Sequence, residues 1–367
     1  MKLASYNIEN LFDRPAAMNM DTWADGADTL KNFAALNDIL GKTTYSKADK
    51  THIIDLMKKL GIDKKDEGKF VILRQNHGHL VKRGKASLQV VADGRGNWIG
   101  WLDLKIEAVD EIATRNTARV IGDLKADVIG LIEAESRPAL LRFADLMKSA
   151  GVTPYEHIML IDGNDMRGID VGIMTRENYP IVDIHSHVDD RDGNSRIFSR
   201  DCAEYTIVTP QGNKLVILLN HFKSKGFGSP AQSDAKRKRQ AERVKEIYKG
   251  LQTAGTKLIA VIGDFNDFPG HPPLDPLLDG TDLKDISTHA GFDDGGFPGT
   301  FGSCGKNNKI DFILLSPALL QKATGGGIFR KGLWPGSRPK KWDVYDDITE
   351  PIHSASDHAA IWAELDV

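Results

Sequence analysis

The chain has 367 residues, of which 41% are hydrophobic and 27% charged, and its formal net charge is −3. That length buries a large core, and the near-neutral balance excludes a protein that grips polyanions by overall basicity, so any nucleic-acid contact falls to local patches or to bound cations. The two cysteines, Cys202 and Cys304, exclude a disulfide framework and leave room for one bridge.

In chain order, the opening MKLASYNIENLFDRP holds no apolar stretch of signal-peptide length. No run approaches about twenty apolar residues, so no membrane span is expected and the chain reads as cytoplasmic. Leu3–Ile8 is the first of several short runs rich in Val, Ile and Leu that predict strands. The others are Ala126–Ile132, Ile169–Met174, Leu215–Asn220, Leu258–Gly263, Ile310–Leu315 and Ala359–Leu365. Near-continuous apolar strands need cover on both faces. Helices are predicted at Asp110–Leu124, Arg137–Ala150 and Ser233–Leu251. Strands interspersed with helices predict an α/β protein.

Residues 41–105 differ in character. A helix-like run, Thr51–Gly61, precedes two predicted hairpin strands, Val71–Arg83 and Leu88–Leu104. The stretch reads as an insertion within a single domain spanning 1–367, more than as a second domain with its own core. It carries Arg74, His77, His79, Lys82, Arg83 and Lys85, with Trp98 and Trp101 further on. Cations hold phosphates and indoles stack on bases, so the insertion is a candidate substrate lid. The plainer alternative is a surface unit whose tryptophans fill a small core.

Acids, amides and histidines fall at the strand ends. Asn7 and Glu9 close the first strand, Glu133 follows the second, and Asn220-His221 ends LVILLN. Asp264 and Asn266 follow LIAVIG, Asp311 opens the next strand, and Ser356-Asp357-His358 precedes the last. Singly, each is most simply a turn residue, a cap or a structural histidine; together they describe a rigid scaffold presenting a site. Oxygen ligands without thiolates suit Mg²⁺, Mn²⁺ or Ca²⁺. Such a cation polarises a phosphoryl oxygen, and an Asp or His activates water. No phosphate-binding GxxxxGK[ST] loop, GxSxG elbow or CxxC pair stands in a fitting context.

SYNIEN, ADVIGLIEAE, LNHFKSK, GDFND, IDFILLS and SDHAAI, in that order, resemble the motifs of the endonuclease/exonuclease/phosphatase superfamily, which includes deoxyribonuclease I and the exonuclease III-type repair enzymes. The resemblance covers residues 1–14 and then 110–367. It implies a four-layer α/β sandwich of two packed mixed sheets flanked by helices. It implies Asn7, Glu9, Glu133 and Asp357 at the metal, with Asp264 orienting or deprotonating water. Asn266 and His221 would bind the scissile phosphate, and Asp311 would orient the catalytic His358. Arg167, in GNDMRGIDVGIM, matches a phosphate-contacting position, and Asp162 is either a partner of His221 or a turn residue. The chain departs from the pattern at Lys309, where many members have Arg, and at Glu9, where repair enzymes have Asp. The long interval between Asn7 and Glu133, where the insertion lies, is a third departure.

These residues imply a metal-dependent phosphodiester hydrolase, with a nuclease acting on DNA rather than RNA as the leading reading. Its further support is Lys223, Lys225 and the run Lys236-Arg237-Lys238-Arg239, otherwise a solvated helix face. The alternative is a phosphodiesterase or phosphatase for a nucleotide, lipid or other small phosphate ester. A silent binding protein of the same fold is the third, opposed by the competent residue at every catalytic position. No protein partner is predicted.

Overall fold

The computed structural model describes residues 1–11, 17, 23–84, 87–105, 111–165, 168–225, 229–337 and 340–367. Its contacts divide the chain into two compact units, Met1–Leu11 with Val109–Val367, and Phe12–Ala108.

The first unit is built on two mixed sheets. In one, seven strands run in the order Phe292–Asp293, Ala323–Phe329, Ala360–Leu365, Lys2–Leu11, Val128–Ala134, Asp170–Thr175 and His157–Ile161. In the other, six strands run in the order Lys284–Asp285, Asp311–Leu315, Ile259–Asp264, Lys214–His221, Cys202–Val208 and Ile181–His185. Every strand predicted outside residues 41–105 lies in one of these sheets. The strands at His157–Ile161, Ile181–His185, Cys202–Val208 and Ala323–Phe329, with the two-residue edge strands Lys284–Asp285 and Phe292–Asp293, are additions that complete them.

The apolar runs are continuous because each strand has two buried faces. Leu215, Ile217 and Leu219 enter a core shared with the other sheet, where they meet Leu3, Val128 and Ile173. Between them, Val216 and Leu218 turn to a second core with Ala241, Val244 and Tyr248 of the helix Pro230–Thr253. That helix starts at Ser229, whose hydroxyl and Gln232 form a capping box. Beyond the first sheet, Gly172 makes room for the helix Arg137–Ser149: a Cβ there would lie 2.8 Å from Leu140 Cδ1. The layers are helix, sheet, sheet and helix, the four-layer sandwich expected.

The second unit holds helices Trp23–Leu40 and Lys47–Lys59, and two small antiparallel pairs, Val71–His77 with Ile99–Leu104 and Val81–Arg83 with Leu88–Val90. It is wider than residues 41–105 and has a core of its own, including Leu36, Ile53, Met57, Val71, Leu73 and Trp98. Trp98 is buried and donates from Nε1 to the Tyr45 hydroxyl at 3.0 Å, while Trp101 stays 46% exposed and donates to Asp103. Among the described residues, no helix is long and apolar enough to cross a membrane.

Candidate active site

The register of the second sheet sets three side chains in a row. Asp264 pairs with His221 on its parallel neighbour and with Asp311 on its antiparallel one, all at one end of the sheet. Gly263 precedes Asp264 with φ of 135°, and a Cβ there would meet Asn220 O at 1.9 Å, so this position of GDFND requires glycine.

On the first sheet, Asn7 pairs with Ile132, and the ladder then slips on both strands. Within those slips Glu9 and Glu133 adopt left-handed φ of 46° and 66°, and Asn266 does the same at 53°. A bulge re-aims the side chain it carries, here at a backbone cost of roughly 1 kcal/mol or more per residue. The turn before the last strand is tied to this end. Ser356 Oγ donates to Asn7 O at 2.8 Å and accepts from His358 N at 2.9 Å, while Asp357 N donates to Glu9 Oε2 at 2.8 Å.

Asp264 is the hub. Its Oδ2 accepts from Asn7 Nδ2 and Asn266 Nδ2, both at 3.2 Å, and its Oδ1 accepts from Asn266 N at 2.7 Å. His221 Nε2 and His358 Nε2 each approach Oδ2 at 3.8 Å. His358 Nδ1 lies 2.8 Å from Asp311 Oδ2, and His221 Nε2 lies 3.7 Å from Glu133 Oε1. Burial, and then Asp311, push the Asp264 carboxyl up to about 7. For His358 burial works downward, but the Asp311 carboxylate overrides it and raises the imidazole well above its usual value. Glu9 keeps an exposed edge, yet loss of water and the neighbouring Asp357 push its carboxyl up to about 7. Asp357 is raised by burial and then by Glu133, against the pull of His358.

At Glu9 and Asp357 burial and the neighbouring acids outweigh the pull of His358. Among the described residues no Lys or Arg pairs with Glu9, Glu133 or Asp357; His221 lies near Glu133 and His358 near Asp357. An all-oxygen set that repels itself fits a hard divalent cation. Among the described residues two other groups are close enough to bind a metal. In the first, Asp264, Asp311 and His358 share the hydrogen bonds above, with Asp311 Oδ1 left without a partner. In the second, Asp234 and Asp267 are held by Arg237, His271 lies 2.7 Å from Asp267, and Lys225 lies 3.3 Å from it.

Asn7, Glu9, Glu133, His221, Asp264, Asn266, Asp311, Asp357 and His358 therefore form one connected cluster. Arg167 lies outside the described residues. Asp162 is exposed on its loop, and the contacts described for His221 run to Glu133 and Asp264. Two pairings carry no sequence signal. Arg200, 2% exposed, sits 2.9 Å from Asp165 Oδ2 and reaches Phe222 O, the carbonyl that also accepts from Asn266. Lys309 is buried 2.6 Å from Asp285 and donates to the Asp311 carbonyl. The basic run is largely neutralised: Arg237 is buried between Asp234 and Asp267, and Arg239 pairs with Asp192 and Glu246.

A family model described as "Endonuclease/Exonuclease/phosphatase family" matches residues 94–327, more than half of the chain. No curated protein matches it. Among solved structures, a mannosyl-6-phosphatase from Bacteroides thetaiotaomicron aligns at TM-score 0.50 and 18% identity, over 70% of this chain and 92% of its own. An endonuclease/exonuclease/phosphatase family protein from the same organism aligns at TM-score 0.50 and 19% identity, over 69% and 86%. Truncated TDP2 from Caenorhabditis elegans aligns at TM-score 0.48 and 16% identity, over 69% and 90%.

Proposed function

This chain belongs to the endonuclease/exonuclease/phosphatase family, and from that premise we propose that it hydrolyses phosphodiester bonds by divalent-cation-assisted attack of water, with DNA as substrate. The observation that carries the reading is the convergence of three mutually repelling acids, Glu9, Glu133 and Asp357, on the hydrogen-bonded cluster around Asp264. Those acids, with Asn7, would hold Mg²⁺, Mn²⁺ or Ca²⁺, which would supply neutralising charge for the phosphoryl and leaving oxygens. Asp264, raised to about 7, is poised to take the proton of the attacking water near neutral pH. The water oxygen bonds to phosphorus as the ester P–O bond breaks. His221 and Asn266 flank Asp264 and orient the phosphate. His358, kept cationic by Asp311, offsets the charge that develops on it.

A second reading, hydrolysis of a small phosphate ester, is favoured by one observation: Arg237 and Arg239 are already matched by carboxylates, which leaves less free basic surface for a polyanion. The test compares nicking of supercoiled plasmid with turnover of bis-p-nitrophenyl phosphate, each with Mg²⁺ or Mn²⁺ and with chelator. Metal-dependent nicking supports the nuclease. Turnover of the small diester without nicking selects the second reading, and inertness toward both overturns the two together.

A further inference from the structure

A cavity of about 410 Å³ opens beside Glu9 and Asp357. Away from these acids its walls are mainly apolar, with Leu333, Trp334, Pro335, Trp342 and Pro351 among them. Neither stretch that supplies them, Leu333–Trp342 or Pro351–Ser354, belongs to a site motif. Trp342 is fixed in place: its Nε1 donates to Leu333 O at 2.9 Å and its ring meets Phe297 edge-on at 5.3 Å. The chain at Trp334 is pinned by its N–H, which donates to Ser354 Oγ at 3.0 Å. Both indoles are half-buried and retain surface for a ligand. Lys341 is held at the rim by the Ser303 carbonyl at 3.2 Å.

The cavity thus has one end made of candidate metal ligands and another made of ring walls. A phosphate held at the acids through a cation would point its organic substituent into those walls. The volume matches a small-molecule site and holds one ring system, not a duplex. Indole faces favour flat rings over flexible chains, because stacking demands a planar partner. We propose that this cavity is the specificity subsite and takes a flat ring carried by the scissile phosphate, either an aryl group esterified to it or the base of a nucleoside whose sugar is. The inference rests on the phosphodiester reading above.

The test measures binding to the Mn²⁺-loaded protein by calorimetry, with methyl, phenyl and hexyl phosphate and thymidine 5′-phosphate as probes. Phenyl phosphate or thymidine 5′-phosphate should bind about 10-fold more tightly than methyl phosphate, with hexyl phosphate near methyl. Preference for one ring probe alone identifies the source, aryl ester or nucleotide. Trp334→Ala should bring the ratio to about 1 by removing a wall. Ser303→Phe, which fills the cavity from an exposed position and leaves both indoles in place, should do the same. Equal binding of hexyl and phenyl phosphate overturns the inference, as does a ring preference that survives both substitutions. If the protein hydrolyses bis-p-nitrophenyl phosphate without any ring preference, this inference alone fails. If it neither hydrolyses that diester nor binds methyl phosphate, the parent reading fails and takes this one with it.

Discussion

The two units spend their interiors differently. Among the described residues, every buried polar or charged side chain belongs to the sandwich, including Asn7, His221, Asp264, Asp311 and His358, and none belongs to Phe12–Ala108. Every described non-glycine residue with positive φ is also in the sandwich, Glu9, Glu133 and Asn266 among them. The inserted unit has an ordinary apolar core, whose buried Trp98 Nε1 and Tyr45 hydroxyl satisfy each other. Buried polar groups and strained backbone cost stability unless something compensates, so their restriction to one unit, with Glu9, Glu133 and Asn266 gathered around Asp264 within it, points to chemistry there. The inserted unit has only its surface to act with.

The sharpest way to break this contrast is to remove charge from the costly end. Glu133→Gln keeps the shape of the side chain and should lower turnover of bis-p-nitrophenyl phosphate by at least about 10²-fold, as loss of a group that stabilises developing charge does. Chelator should abolish the activity of the unaltered protein. Full activity of the variant in chelated buffer would contradict the cation reading. Next in size, Asp311→Asn and His358→Ala should each cost roughly 10²-fold, and the double variant should be little worse than either, as for residues acting as a unit. Multiplicative losses would show that the 2.8 Å pair does not work as one.

How much of this was legible in the sequence follows from where each residue stands relative to an apolar run. Asp264, Asp311 and Asp357-His358 adjoin near-continuous hydrophobic strands, so run and acid read together, and the motif order supplied the rest. The strand Ala323–Phe329, ATGGGIF, escaped because its glycines carry no side-chain pattern. Cys202–Val208 escaped because it alternates between buried and half-buried residues instead of forming a continuous run. Arg200–Asp165 and Lys309–Asp285 are long-range pairs with no local periodicity to announce them. The two hairpin strands read in the insertion do pair with each other, Val71–His77 with Ile99–Leu104 and Val81–Arg83 with Leu88–Val90; what escaped was the helix Trp23–Leu40, whose Leu36, Ile39 and Leu40 join that unit's core from ahead of residue 41.

Two milder tests address the inserted unit. Leu73→Ala, at a position 2% exposed, should destabilise that unit by about 2–5 kcal/mol in denaturant melts. Its turnover of the small diester at low temperature should change little, since no proposed catalytic residue belongs to that unit; a loss comparable to that of Glu133→Gln would erase the distinction between the units. Trp101→Ala tests the expectation from the sequence that the inserted residues help to select substrate. Nicking of plasmid should fall severalfold, the scale of one lost base–indole stack, while the small diester is turned over as before. Equal retention of both activities would leave Trp101 without a role.

The smallest expected effect is a pH slope, and its sign separates the two regions. Glu9 ordinarily titrates near 4.5 but is raised to about 7 in the folded protein, first by loss of water and then by Asp357. Between those values the folded state holds a proton that the unfolded chain has released, so stability falls as pH rises through that window. In the inserted unit Asp49 runs the other way: hydrogen bonds from Lys42 and then Ser46 hold it at about 2, so its contribution is present above the ordinary carboxylate value and lost only in acid. The metal-free protein should therefore melt a few degrees lower at pH about 8 than at pH about 6, modestly because solvent screens the exposed edge of Glu9. Glu9→Gln should reduce the slope, since an amide has no proton to lose, while Asp264, also raised to about 7, keeps its share. Saturating Mn²⁺ should flatten it as well, because the cation supplies the missing counter-charge and competes with the proton. Thermal melts of both proteins across this range, with chelator and with Mn²⁺, check the expectation. A melting point that rises with pH in chelator, or a slope that neither Glu9→Gln nor Mn²⁺ alters, would remove Glu9 from the cation site.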